Sequence, residues 1–287
     1  MTPGRSRSWL IAGLAVAVAV LGAWQFGGTG KGKSAQVTHR LTQQPREAVQ
    51  RIRIERSAGA AIEVVRNDTG WRLVAPVAAR VDPFRIEKLL DLLAATSDDR
   101  LPAADLARFD LDRPHATLTL GDVVFRFGSA NTLTGEQYVA VGDAVYPVKV
   151  ALAAALPPDF THLIAREVFA GDEVPVTFRA PGFTVAKHDG TWKLDPPPAE
   201  PPSQDDLVKW TAEWRGVQAS IAQPYRGGSA DAEIRVTLAD GREVRLQVIA
   251  TSPDILLARP DEQLQYRIPG AARHLLSAPG TPPVPVK

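Results

Sequence analysis

The sequence predicts an α+β fold: one amino-terminal transmembrane helix, then two tandem repeats of an antiparallel-sheet-plus-helix unit. Three observations predict it. No residue from Trp9 to Phe26 is charged. The chain resembles itself at a constant offset of 121, from Ile62–Leu73 to Phe183–Leu194. Short alternating runs broken by Gly and Asp surround one amphipathic stretch in each half, the pattern of hairpins plus a helix. The expected organisation is a cytoplasmic tail (1–8), a signal anchor (9–28), a Gly/Lys linker (29–47), repeat 1 (48–158), a connecting helix (159–173), repeat 2 (174–278) and a Pro-rich tail (279–287).

Charge separates the first part from the rest. The 287 residues carry 33 Lys+Arg against 32 Asp+Glu. Six of the basic residues (Arg5, Arg7, Lys31, Lys33, Arg40, Arg46) precede the first acid, Glu47. That leaves 27 basic and 32 acidic residues in 47–287, a net of −5. A mildly acidic body lacks the dense basic footprint of nucleic-acid binding. With no cysteine, disulfides, thiolate metal sites and thiol catalysis are excluded. A helix over the uncharged run would span about 30 Å, a bilayer core. Arg5 and Arg7 precede it, and Trp9 and Trp24 stand at its ends. Leu21 at −3 is a poor residue for cleavage after Ala23, so an uncleaved anchor is expected. The body is placed in the periplasm of a bacterial inner membrane, as a signal anchor places it.

Gly27, Gly30, Gly32, Lys33 and Ser34 satisfy the spacing of a phosphate-cradling loop. The context is wrong. Such a loop follows a short buried strand and opens a helix, whereas here it follows a membrane-length apolar run and precedes a polar stretch. It reads as a linker, so no nucleotide or other cofactor is expected.

Within the body, Asp68 meets Asp189, Trp71 meets Trp192, and Leu73 meets Leu194 in a strand–turn–strand. Asp82-Pro83 starts a helix with the stripe Ile86, Leu89, Leu90, Leu93. Ser203 and Asp206 form the capping box of its counterpart, whose stripe is Leu207, Trp210, Thr211, Trp214. Two hairpins follow in each repeat, the second containing Tyr146 or Tyr266. An apolar helical piece, Val150–Leu156 or Ala271–Leu276, closes each repeat. Trp71 and Trp192 are expected in the core; Trp210 and Trp214 are candidate groove aromatics.

The Trp-x-Leu sequence, the Asp-started Leu-rich helix, the segment Phe109-Asp110-Leu111-Asp112-Arg113-Pro114 and the Gly-led stretch from Phe127-Gly128 to Tyr138 resemble the bacterial family called domain of unknown function 4340. The resemblance covers roughly 50–280 and is weaker in the second repeat. It implies a membrane-anchored envelope protein associated with gliding-motility-type ABC-transporter components, and it supplies no catalytic residues.

Nothing in the residues points to catalysis. His39, His115, His162, His188 and His274 lack metal-ligand spacing. Asp98-Asp99 and Asp205-Asp206 fall at a loop and a helix start, where acids are expected. The expectation is a non-enzymatic envelope protein that binds protein partners, with ABC-transporter subunits as candidates, no metal, and no nucleic acid. The alternative is a periplasmic lipid- or glycan-binding module using a groove between the repeats, and a further, remote one is a P-loop nucleotide-binding protein.

Overall fold

A computed structural model describes residues 38–281. The first half contributes β1 (His39–Arg40), β2 (Arg51–Arg56), β3 (Ile62–Asn67), β4 (Gly70–Ala75), β5 (Ala79–Arg80), α1 (Pro83–Leu90), β6 (Thr96–Ser97), β7 (Leu101–Pro102), β8 (Ala116–Leu120), β9 (Val123–Asn131), β10 (Glu136–Val141), β11 (Ala144–Lys149) and α2 (Val150–Ala153). The second half contributes β12 (Pro175–Ala180), β13 (Phe183–His188), β14 (Thr191–Asp195), α3 (Gln204–Gly216), β15 (Ile221–Pro224), β16 (Ala232–Leu238), β17 (Glu243–Ala250), β18 (Ile255–Arg259) and β19 (Leu264–Ile268).

The two large sheets share one strand order. The first runs β5-β4-β3-β2-β8-β9-β10-β11-β7, the second β14-β13-β12-β16-β17-β18-β19-β15. Without β5 the two orders correspond strand for strand. Period-2 patterning sets which face is buried. In β2, Ile52 and Ile54 point inward while Arg51, Arg53 and Glu55 point out; in β8, Ala116, Leu118 and Leu120 are buried and the two threonines between them are not. The helices cover the inner faces. Asp82 caps α1 by accepting from the Phe84 N–H at 2.9 Å, and Ile86, Leu89 and Leu90 are buried. Ser203 and Asp206 cap α3 reciprocally. Its stripe meets Phe178, whose ring centroid lies 5.2 Å from Trp210 and 5.8 Å from Trp214. The buried residues of both halves join one contiguous apolar cluster.

A smaller cluster lies on the outer face of the first sheet. Phe109 and Leu111 cover Ala140 and Val145 there. The covering chain passes so close to β9 that a Cβ at Gly128 would overlap the Phe109 carbonyl oxygen and come within 2.9 Å of Leu111 Cγ. Only glycine fits.

Several expectations are corrected. The α+β class with a leading transmembrane helix gives way to a mainly antiparallel-sheet structure, with strand over 42% of the described residues and helix over 19%. The physical reason is that each half holds more strands than expected. Arg51–Arg56 and Pro175–Ala180 extend each sheet by one central strand, and β5, β7 and β15 add edges. The first expected closing helix, Val150–Leu156, shrinks to α2, while the second lies where expected, as the 3-10 segment Gly270–Leu276. The connecting helix over 159–173 is replaced by one 3-10 turn, Phe160–Leu163, followed by extended chain. That chain is extended because its backbone bonds reach both halves: Ala165 N–H donates to Arg80 O at 3.0 Å, and Arg166 O accepts from Ala219 N–H at 2.9 Å.

Among the described residues, no helix is long and apolar enough to cross a membrane. The single-pass inner-membrane placement and the signal anchor are corrected on that finding. The expected span 9–28 and the loop-like Gly27, Gly30, Gly32, Lys33 and Ser34 lie outside the described residues.

Candidate functional site

The strongest polar arrangement joins the two halves. Arg80 ends β5, the strand of the first sheet with no counterpart in the second. Its neighbours Ala79 and Val81 are buried, so the strand is held against the core and the guanidinium is carried outward. Arg259 ends β18 after the apolar run Ile255-Leu256-Leu257-Ala258, and the following turn supplies Asp261 and Glu262. Glu173 lies on the connector, where its carboxylate also accepts from the Ala170 N–H at 2.8 Å.

These side chains form one network. Arg80 Nε reaches Glu262 Oε1 at 2.7 Å and its Nη2 reaches Oε2 at 3.1 Å, a two-pronged contact. The same Nη2 donates to the Tyr266 hydroxyl at 3.1 Å and the Glu167 carbonyl at 2.9 Å. Tyr266 donates to Glu262 Oε2 at 2.7 Å. Arg259, only 1% exposed, forks onto Glu173 at 2.7 and 3.0 Å, donates to the Val168 carbonyl at 2.7 Å, and reaches Asp261 at 2.6 Å. A guanidinium has five donors and suits this fork geometry where an ammonium does not.

Burial alone would push the Glu173 carboxyl up. The Arg259 fork, the Ala170 N–H and the charges of Arg259 and Arg80 more than offset it, so Glu173 sits below the usual carboxylate range. Burial and the adjacent Glu262 push the Tyr266 hydroxyl well above its ordinary value, keeping it a neutral donor. For Arg80 and Arg259, burial works against the charged form, yet their carboxylate partners win and both stay firmly protonated. The chemistry here is that of a clasp. Every charged group already has opposite charges and hydrogen bonds within the chain.

Two hollows occupy equivalent places in the halves, between the long helix and the closing helical turn. The larger, about 630 Å³, is lined by Lys88, Asp91, Asp98, Glu136 and Lys149 over an apolar floor including Ala95 and Leu152. The smaller, about 330 Å³, holds Lys209, the repeat equivalent of Lys88, with Asp206, Glu213 and His274. Beside it, His274 Nε2 meets Glu213 at 2.5 Å and Trp214 Nε1 donates to Leu275 O at 3.1 Å, tying α3 to the closing helical turn.

The residues singled out from sequence distribute as follows. Asp68 and Asp189 are exposed in equivalent hairpin turns, Asp189 with a left-handed φ of 47°. Leu73 and Trp192 are buried, while Trp71 and Leu194 are half-buried against the core. Trp210 and Trp214 are core residues; Trp210 alone also reaches a hollow. Tyr146 bonds to Arg100 at 3.3 Å, whereas its equivalent Tyr266 enters the clasp. His162 pairs with Asp159 at 3.1 Å, and no group of three or more His, Asp or Glu that could hold a metal occurs among the described residues. Sequence reasoning missed Arg80, Glu173, Arg259 and Glu262. The available signal was an arginine ending an apolar strand, and another between two small apolar residues.

Comparison with known proteins gives one match. Residues 71–202 match the model of the family described as Domain of unknown function (DUF4340). The matched region runs from β4 through the first sheet and the connector to the proline-rich loop before α3. No curated protein and no solved structure matches the chain.

Proposed function

We propose that this chain is a non-enzymatic accessory or scaffold protein that binds protein partners, with the subunits of an ABC-transporter complex as the partner class its family resemblance points to. The observation that carries the reading is the clasp. Its buried charges are used within the chain to hold two like-folded sheets as one body, which suits presenting extended sheet faces in a fixed relation. Replacing a buried ion pair by apolar residues is often neutral or stabilising, so the clasp serves geometry more than stability. The test is affinity purification of the tagged full-length chain from its native host after mild cross-linking. Stoichiometric recovery of a transporter subunit is expected, and repeated recovery of the chain alone contradicts it.

The hollow of about 630 Å³ favours a second reading, a glycan-binding module. Its charged rim suits hydroxyl groups better than acyl chains, and it lies inside the first half rather than between the halves. A panel of soluble oligosaccharides that leaves the melting temperature unchanged ends that reading.

A further inference from the structure

The two sheets are built on one strand order, so residues at the same register position can be compared directly. One row across the outer faces differs sharply. In the first sheet, Glu63 on β3 lies opposite Arg53 on β2, Arg53 opposite Thr119 on β8, and Thr119 opposite Val124 on β9. In the second sheet the same row reads Thr184, Arg179, Arg235, Arg245 on β13, β12, β16 and β17. Three arginines thus stand side by side on three adjacent strands.

The strands bring them together because their flanking residues are the buried ones. Phe178, Ile234, Val236, Val244 and Leu246 all face the core, and so the arginines face out. Like charges directly opposite one another destabilise a sheet. The first sheet shows that the fold does not need them. There the single arginine is neutralised, with Arg53 reaching Glu55 at 2.7 Å and Glu63 at 3.7 Å. In the second sheet threonine replaces Glu63, and arginines replace Thr119 and Val124. Glu233 and Glu243 each contact the arginine two residues along their own strand, at 2.7 and 3.5 Å. Arg179 is exposed and has no ion pair among the described residues. The side chains of Arg235 and Arg245 remain 56% and 64% exposed.

From this we infer that Arg179, Arg235 and Arg245 form a docking row for an acidic α-helix of a protein partner. The spacing favours a helix. Adjacent strands are about 4.8 Å apart, so the outer arginines are separated by about 9.6 Å. On a helix laid across the strands, carboxylates at i, i+4 and i+7 span about 10.5 Å on one face. Each can meet one guanidinium through charge-assisted hydrogen bonds. The inference rests on the protein-binding reading above and names the chemistry of the partner's contact surface.

The test uses the full-length chain and a fluorescein-labelled Ala-rich helical peptide carrying Glu at i, i+4 and i+7, with a Gln-for-Glu peptide as control. Fluorescence anisotropy should show the Glu peptide binding about tenfold more tightly than the control, and weakening as salt rises. The double variant Arg235→Thr with Arg245→Val writes the first sheet's residues into the second. It should lose about tenfold in affinity for the Glu peptide. Equal binding by wild type and variant overturns the proposal. So does tighter, substitution-sensitive binding to phosphatidylglycerol vesicles or to duplex DNA, which would assign the row to a different anion. Arg53→Gln, in the neutral row, should leave peptide binding unchanged. Partner recovery separates the two claims. A double variant that still recovers the wild-type partner sinks the docking row alone. Wild-type chain that binds the Glu peptide but is always recovered alone sinks the accessory-protein reading.

Discussion

Arg80 of the first sheet and Glu262 of the second are joined by two hydrogen bonds, at 2.7 and 3.1 Å, across 182 positions of sequence. β5, which carries Arg80, has no counterpart in the second half, where prolines from Pro196 to Pro202 occupy the equivalent chain. The strand that breaks the symmetry of the two sheets therefore also carries the residue that connects them.

Removing one partner of the buried Arg259–Glu173 fork is expected to be costly. Arg259→Met leaves a carboxylate buried without its counter-charge, with an expected loss of about 3–5 kcal/mol in denaturant unfolding. Arg259→Met combined with Glu173→Met should recover most of that loss, because the uncompensated charge is gone. A double variant as unstable as the single one would contradict this account of the clasp.

The depressed Glu173 carboxyl sets the sign of the pH response. A group whose folded pKa lies below its unfolded value, about 4.3 for Glu, contributes stability above that value and loses it as pH falls through the folded pKa. Unfolding free energy should therefore drop on acidification below about pH 4. Glu173→Gln should show a shallower drop in the same titration. An identical acid limb in both proteins would remove Glu173 from the explanation.

Of the described glycines in the first half, Gly128 has the tightest surroundings. Gly128→Ala forces the Phe109–Leu111 cover away from β9, with an expected cost above about 2 kcal/mol. Gly142→Ala, at an open turn position with nothing near its Cβ, measures the backbone effect alone and should cost less. Chemical denaturation of both variants checks the order.

The outer edge of the second sheet is protected by one side chain. Gln204 accepts from the Trp192 N–H at 3.1 Å and donates to the Trp192 carbonyl at 2.6 Å, standing in for the missing strand. Gln204→Ala should cost about 1 kcal/mol and expose an edge prone to pairing with other chains. Concentration-dependent association in light scattering, absent from the wild type, is the expected readout.

How legible this was in the sequence varied with how local each feature is. The strand–turn–strands ending at Trp71-Arg72-Leu73 and Trp192-Lys193-Leu194 are legible because turn residues and alternation sit within twelve positions. The caps at Asp82 and Ser203 are equally local. The extended path of Ile164–Phe169 is not, because its apolar spacing reads as helix while its hydrogen-bond partners, Arg80 and Ala219, lie far away in the chain. β2 was legible in principle from Arg51-Ile52-Arg53-Ile54-Glu55-Arg56, but β12 begins with Pro175 and alternates weakly. The clasp was illegible as a site. Its members are ordinary charged residues separately, and only the fold brings Arg80, Glu173, Arg259 and Glu262 together.

If the clasp makes the two halves one body, cutting it should let them unfold apart. Four of the tryptophans fall in the described residues, and three of them (Trp192, Trp210, Trp214) are in the second half. With Trp9 and Trp24 replaced by Phe throughout, so that three of the four remaining tryptophans are in that half, tryptophan fluorescence reports chiefly on it, whereas far-ultraviolet circular dichroism reports on both. The deciding measurement is denaturant unfolding of wild type and Arg80→Ala followed by the two signals together. Coincident transitions in the wild type and separated ones in Arg80→Ala are the predicted result. Separated transitions in the wild type, or coincident ones in Arg80→Ala, would contradict the claim.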